Sequence, residues 1–236
     1  MTSSRRTALV AGIFYLVTIA ASIPAVFLLD PVLTEPQYIV STGADGQILL
    51  GCLLDLVNAM ACIGTAVALY SIVRLEHEGF ALGFVATRMF EAAVIVIGIV
   101  SLLAIVTLRQ DGAAGTDEAS LVAVGRGMVA VRNWTFLLGP GLMPAFNAFL
   151  LGTLMYRSGL VPRLIPTMGL VGAPLLLSSS LGILFGVNTA TSIWSAIATL
   201  PILLWELSLG LWLTIKGFDP AASVLSRPVD RAGPDR

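Results

Sequence analysis

The apolar residues of this chain gather into six stretches of more than 20 residues each, separated by short segments where charges, glycines and prolines collect. A helix rises ~1.5 Å per residue, so each stretch is long enough to cross a hydrocarbon layer of ~30 Å. Open strands cannot cross lipid because their backbone groups would lack partners, and the stretches lack the alternation of a membrane barrel, so each is read as a helix. The predicted spans are 8–29, 47–73, 80–108, 133–156, 164–187 and 191–216. Composition agrees: 57% of the residues are hydrophobic and 11% charged, against roughly a quarter charged in a soluble domain. The predicted fold is an all-α membrane protein, a bundle of six transmembrane helices formed by residues 1–218. Residues 219–236, rich in charge and proline with little to bury, are predicted to be a disordered cytoplasmic tail.

An even number of spans puts both termini on one side, and the basic residues indicate which. With the N-terminus inside, the inner segments hold Arg5, Arg6, Arg74, Arg157, Arg163, Lys216, Arg227, Arg231 and Arg236, and the outer ones Arg109, Arg126 and Arg132. Nine against three predicts both termini in the cytoplasm. The first apolar run, about 22 residues, outlasts the ~7–15 of a secretory signal and is read as a retained anchor. Basic and acidic residues nearly cancel, 13 against 14, so no nucleic-acid partner is indicated. The expected partner is the lipid bilayer.

The third connection, from Arg109 to Arg132, is the only long one. Thr116 can cap a helix there, with Asp117 and Glu118 in its first turn and Leu121, Val124, Met128 and Val131 at helical spacing. It is an interfacial helix, an N-terminal extension of the fourth span, or a plain spacer. Cys52 and Cys62 lie ten residues apart in the second span, too far for a disulfide, and are read as buried small residues. His77 is the single histidine and falls in a short loop, as a solvated surface residue. With no HExxH, GxSxG or P-loop, no metal or cofactor is expected.

Four ionisable residues lie well inside the spans: Asp55 in the second, Arg88 and Glu91 in the third, Glu206 in the sixth. A charge at bilayer depth costs roughly 2.5–3.5 kcal/mol, so these residues should face the bundle interior and find partners. Asp55, Asn58, Cys62 and Thr65 follow a helical spacing and form one polar face; Arg88 and Glu91 are three apart and share another. Three carboxylates against one guanidinium sum to −2, so at least one of Asp55, Glu91 and Glu206 is expected to be neutral or matched by a bound cation. The alternative is structural, a buried Arg88–Glu91 pair with Asp55 and Glu206 hydrogen-bonded to Asn58, Asn147 or Ser208.

Gly139-Pro140-Gly141 and Pro144 interrupt the fourth span, and each proline frees a backbone carbonyl four residues earlier. Such carbonyls either bind a cation or polar ligand, with Asn147 just beyond, or mark a packing kink. Ser178, Gly182 and Gly186 in the fifth span are read as a helix-packing seam.

The chain resembles the bacterial domain-of-unknown-function family numbered 4386. The likeness rests on Arg6, Ala11-Gly12 and Tyr15-Leu16, on Arg88 with Glu91-Ala92, on Tyr156, Ser158 and Leu160 to Arg163, and on Trp205-Glu206, Trp212 and Lys216 to Phe218. It implies a multi-pass protein of the bacterial plasma membrane and supplies no reaction, cofactor or active site. From the residues themselves, the expected function is binding or transport of a small ion or polar solute by Asp55, Asn58, Arg88, Glu91, Asn147 and Glu206. The alternatives are a non-catalytic scaffold or accessory subunit, and an enzyme acting on lipid with one carboxylate as acid or base.

Overall fold

The computed structural model describes residues 3–41, 45–110 and 117–226. Six helical segments there are long and apolar enough to cross a membrane. They comprise α1 (Ser3–Thr34), α2 (Asp45–Val73), α3 (Glu78–Gln110), α4 (Glu118–Phe136) running through a π-helical turn (Leu137–Gly141) into α5 (Met143–Ser158), then α6 (Leu164–Leu184) and α7 (Ile193–Ile215). A short α8 (Ser223–Ser226) follows. Among the described residues there is no strand.

Sequential helices pack side by side, as short connections require, and α1 returns to α7 so that the bundle closes into a ring. Glycine lets those two approach. A Cβ on Gly12 would sit 2.6 Å from the Thr214 backbone nitrogen and 2.8 Å from the Gly210 carbonyl oxygen, so backbone meets backbone at the crossing. The Arg5 guanidinium locks the same end by donating to the Leu213, Thr214 and Ile215 carbonyls, which a helix C-terminus leaves without partners. Both ends of the ring therefore lie on one face of the bundle. Gly12→Ala should lower the unfolding midpoint in detergent by an amount equivalent to about 1–3 kcal/mol of overpacking. Gly127→Ala, where a Cβ meets nothing within 4 Å, should cause no loss; equal effects would mean that the α1–α7 contact contributes nothing.

Five helices cover the predicted spans to within five residues at each end, and the fourth does not. It runs Glu118–Ser158 rather than 133–156, because the third connection is an N-terminal extension of that span. Thr116 lies outside the described residues, and Asp117 makes the cap by accepting from the Ser120 backbone nitrogen at 3.1 Å. Hydrogen bonding to the Ser120 side chain, together with that backbone bond, holds the Asp117 carboxyl below its usual range. The inward stripe of α4 is Leu121, Gly125, Met128 and Arg132; Val124 and Val131 face outward. Tyr38 and Ile39, in a 3-10 turn after α1, are buried against this stripe, and a Cβ on Gly125 would meet Ile39 at 3.2 Å.

Two further expectations change. Ser178 and Gly186 are exposed, so the seam of α6 lies elsewhere, at Gly169 and Gly172, where a Cβ would come within 2.8 Å of the Trp205 ring and 2.9 Å of Ile202. The bulk of Trp205, almost wholly buried, selects the glycine opposite it. The segment after α7 is not loose through residue 226: Phe218, Ala222 and Val224 are buried, and the Asp219 nitrogen donates to the Leu160 carbonyl at 2.9 Å. Residues 227–236 lie outside the described ones. His77 is exposed as expected, and also serves as a cap, its Nδ1 accepting from the Phe80 nitrogen at the start of α3.

Candidate functional site

Half-way along the bundle the intramembrane charges resolve into two groups. In the first, Arg88 on α3 is held between two carboxylates: its Nη1 lies 3.2 Å from Glu91 Oε2, one turn along the same helix, and its Nη2 lies 2.8 Å from Glu206 Oε1 on α7. Asn147 on α5 donates from Nδ2 to Glu91 Oε2 at 2.8 Å, and its own Oδ1 accepts from the Thr87 hydroxyl. The interruption of the fourth span positions this amide: the π-helical turn packs on α3, where a Cβ on Gly139 would lie 3.3 Å from Val94 and 3.6 Å from the Glu91 carbonyl. The carbonyl of Gly141, in the same turn, takes a hydrogen bond from the Ser180 hydroxyl at 2.7 Å.

Aromatic and sulfur groups complete the surroundings of Arg88. Its guanidinium carbon lies 5.1 Å from the Tyr15 ring centre and 5.9 Å from that of Phe84, within range for cation–π attraction. Nη1 also approaches Cys62 Sγ at 3.5 Å, and Cys62 in turn reaches Asn58 Oδ1 at 3.8 Å. Arg88 is 2% exposed, and with both forks of its guanidinium engaged it fixes α3, α7 and, through Asn147, α5 in one register.

The second group was invisible in the spans as predicted. Asp55 on α2 pairs with Arg132 on α4, Nη2 to Oδ2 at 2.6 Å, both side chains nearly buried. Arg132, read from sequence as an outer-loop residue, is 3% exposed, and Gly98 on α3 makes room for it: a Cβ there would lie 3.1 Å from Arg132 Cδ. The charge count changes with it. Three carboxylates now face two guanidinium groups, a formal −1 rather than −2, and the surplus belongs wholly to the Arg88 group. Asp55 is therefore separated from the other predicted site residues, whereas Asn58, one turn further along α2, stays with them. Ser208 donates to the Trp205 carbonyl and joins neither group.

Arg88, Glu91, Glu206 and Asn58 all line a cavity of about 250 Å³ inside the ring, to which every spanning helix contributes. A larger one, about 450 Å³, lies between the α4–α5 junction and the α6–α7 hairpin. Phe136, Gly141, Leu176 and Thr199 border both, so the two share these residues as a common wall. The second cavity carries a hydroxyl network that sequence reading passed over. Ser179 and Ser195 lie 2.9 Å apart, and the Asn188 amide donates to Ser195 at 3.0 Å. Serines scattered over two helices and a loop offer no spacing by which to be grouped in advance.

Six apolar helices closed around a partly charged, partly apolar cavity define a multi-pass membrane protein with a polar centre. Neither the curated proteins nor the solved structures contain a match to the chain. A family model does match: residues 10–217 fit the family described as Domain of unknown function (DUF4386), and the chain belongs to that family.

Proposed function

We propose that this protein binds a small ion or polar solute in the central cavity and passes it across a bacterial plasma membrane, with both termini in the cytoplasm. The observation that carries this reading is the convergence of Arg88, Glu91, Glu206 and Asn58, drawn from three helices, on one cavity wall. Burying uncompensated charge is costly, and a bundle that needed only a helix clamp would be served by a neutral pair such as Asp55–Arg132. Here a second carboxylate is added to an already paired arginine, which leaves an acceptor for a ligand or an exchangeable proton. Asn147 acts as a positioning residue for Glu91, and Asp55 is assigned to structure. The orientation follows from the basic residues: with Arg132 drawn into the bundle, nine remain on the inner side against Arg109 and Arg126 on the outer.

The test is native mass spectrometry of the protein released from mild detergent, comparing wild type with Glu91→Gln, Glu206→Gln. A discrete non-protein mass on wild type, lost from a variant whose circular dichroism shows the native helix content, is the expected result. Bare protein in both would overturn the proposal in favour of a scaffold whose polar core only sets helix register.

A further inference from the structure

We propose that the ligand of the central cavity is a small amphipathic amine, held as its ammonium ion by Glu206 and reaching the site through the gap between α1 and α7; this deepens, and rests on, the binding function proposed above. Three observations lead there. The first is charge. Both forks of the Arg88 guanidinium are taken by Glu91 and Glu206, so the wall presents a formal −1 and repels an anion. Glu206 uses Oε1 for Arg88, while no described residue donates to Oε2; its side chain, 16% exposed, is the most accessible of the three charged groups.

The second is the sense of the remaining polar groups. Thr18 and Thr199, which line the cavity with Glu206, donate their hydroxyl protons to carbonyls of their own helices, Tyr15 at 2.7 Å and Ser195 at 2.8 Å. Only lone pairs are left to face the cavity. A carboxylate oxygen and two hydroxyl acceptors suit a group rich in donors, and an ammonium has up to three N–H bonds and no acceptor. The Asn58 amide and the Ser22 hydroxyl are neutral donors of the same wall.

The third is the apolar remainder and its opening. Ile19 and Ile23 from α1 and Ile202 and Leu203 from α7 line the same space, and Ile23 and Leu203 are 47% and 36% exposed. The two helices touch at Gly12 and Gly210, whereas the cavity lies between residues 18–23 and 199–206, so the gap widens away from the glycine crossing. An amine with a compact hydrocarbon body can enter from the lipid with its apolar part leading. A cavity of about 250 Å³ has no room for a double-chained lipid.

The experiment is equilibrium dialysis of the protein in phosphatidylcholine nanodiscs, with empty nanodiscs as the partition control. The three probes share one body: benzylammonium, benzyl alcohol and benzoate. Benzylammonium should bind at least tenfold more tightly than the other two. Glu206→Gln should abolish that preference, and Ser22→Phe, which adds a ring at a position on α1 that lines the cavity and leaves every charged residue in place, should remove binding while leaving the unfolding midpoint unchanged. Preference for benzoate would overturn the assignment and make Arg88 the recognition group. Equal binding of all three probes, or of none, would also overturn it. If the mass spectra still show a ligand lost with the double glutamine variant, the binding function survives and only the amine class falls; if they do not, both fall.

Discussion

Replacing Arg88 with methionine should destabilise the protein by roughly 3–5 kcal/mol, the usual cost of stripping one partner from a buried ion pair. The side chain is 2% exposed and holds two carboxylates at once, so its loss leaves Glu91 and Glu206 facing each other across an apolar interior. Methionine keeps most of the volume, which separates the electrostatic effect from a cavity effect. The measurement is equilibrium unfolding in mixed detergent micelles. Adding Glu91→Gln and Glu206→Gln to Arg88→Met should restore more than half of the loss, because a neutral hydrogen-bonding set needs no counter-charge. If Arg88→Met alone costs less than about 1 kcal/mol, as an exposed pair would, the cluster does not hold α3 to α7. If the triple variant is no better than the single, packing rather than charge carries the effect.

The second large effect is expected at Asp55. Asp55→Asn removes the counter-charge of its partner Arg132 and leaves that guanidinium buried between α3 and α4. Arg132 has little else to turn to: its Nε and Nη1 have no hydrogen-bond partner among the described residues, and the Phe136 ring lies 5.3 Å from its guanidinium. We expect a loss of about 3–5 kcal/mol for Asp55→Asn and a markedly smaller one for Asp55→Asn with Arg132→Met. The coupling in a double-mutant cycle should exceed about 1.5 kcal/mol, within the span seen for residues in direct contact. Additive losses would show that the 2.6 Å contact is not the source of the stability. Neither variant should alter ligand binding by the central cavity beyond what partial unfolding explains, since Asp55 and Arg132 do not line it.

The two pairs also show where a sequence becomes opaque. Asp55, Asn58, Cys62 and Thr65 could be placed on one buried face because helical spacing is local, and all four are buried. Arg88 and Glu91 could be paired for the same reason. Arg132 was lost because the segment before it is the least apolar part of its span and carries Arg126 between two glycines, so that stretch read as a connection. The information was present in the 4-3-4 spacing of Leu121, Gly125, Met128 and Arg132, and in the unmatched charge of Asp55. Choosing Val124 and Val131 instead turned the stripe by about one residue and aimed Arg132 at solvent. The seam of α6 failed similarly: Ser178, Gly182 and Gly186 have the right spacing, but Gly169 and Gly172 face the bulk of Trp205 and Ile202, and no spacing within one helix reveals what stands opposite.

What the chain determined by itself is therefore everything that depends on one helix at a time. Lipid leaves each apolar stretch no option but an internally bonded helix, so the number of spans, their approximate limits and the polar stripe on each follow from the order of residues. What only the tertiary structure decided is which stripes meet. The joining of Glu206 to Arg88 spans 118 residues of sequence, and that of Asp55 to Arg132 spans 77. Both depend on how a ring of helices rotates and closes, which is set by packing across the Gly12 crossing, the Gly169–Trp205 contact and the π-helical turn. Pairing energies between distant charges carry no local signature, so the division of five intramembrane charges into one neutral clamp and one negatively charged cavity wall emerged only when the helices were assembled.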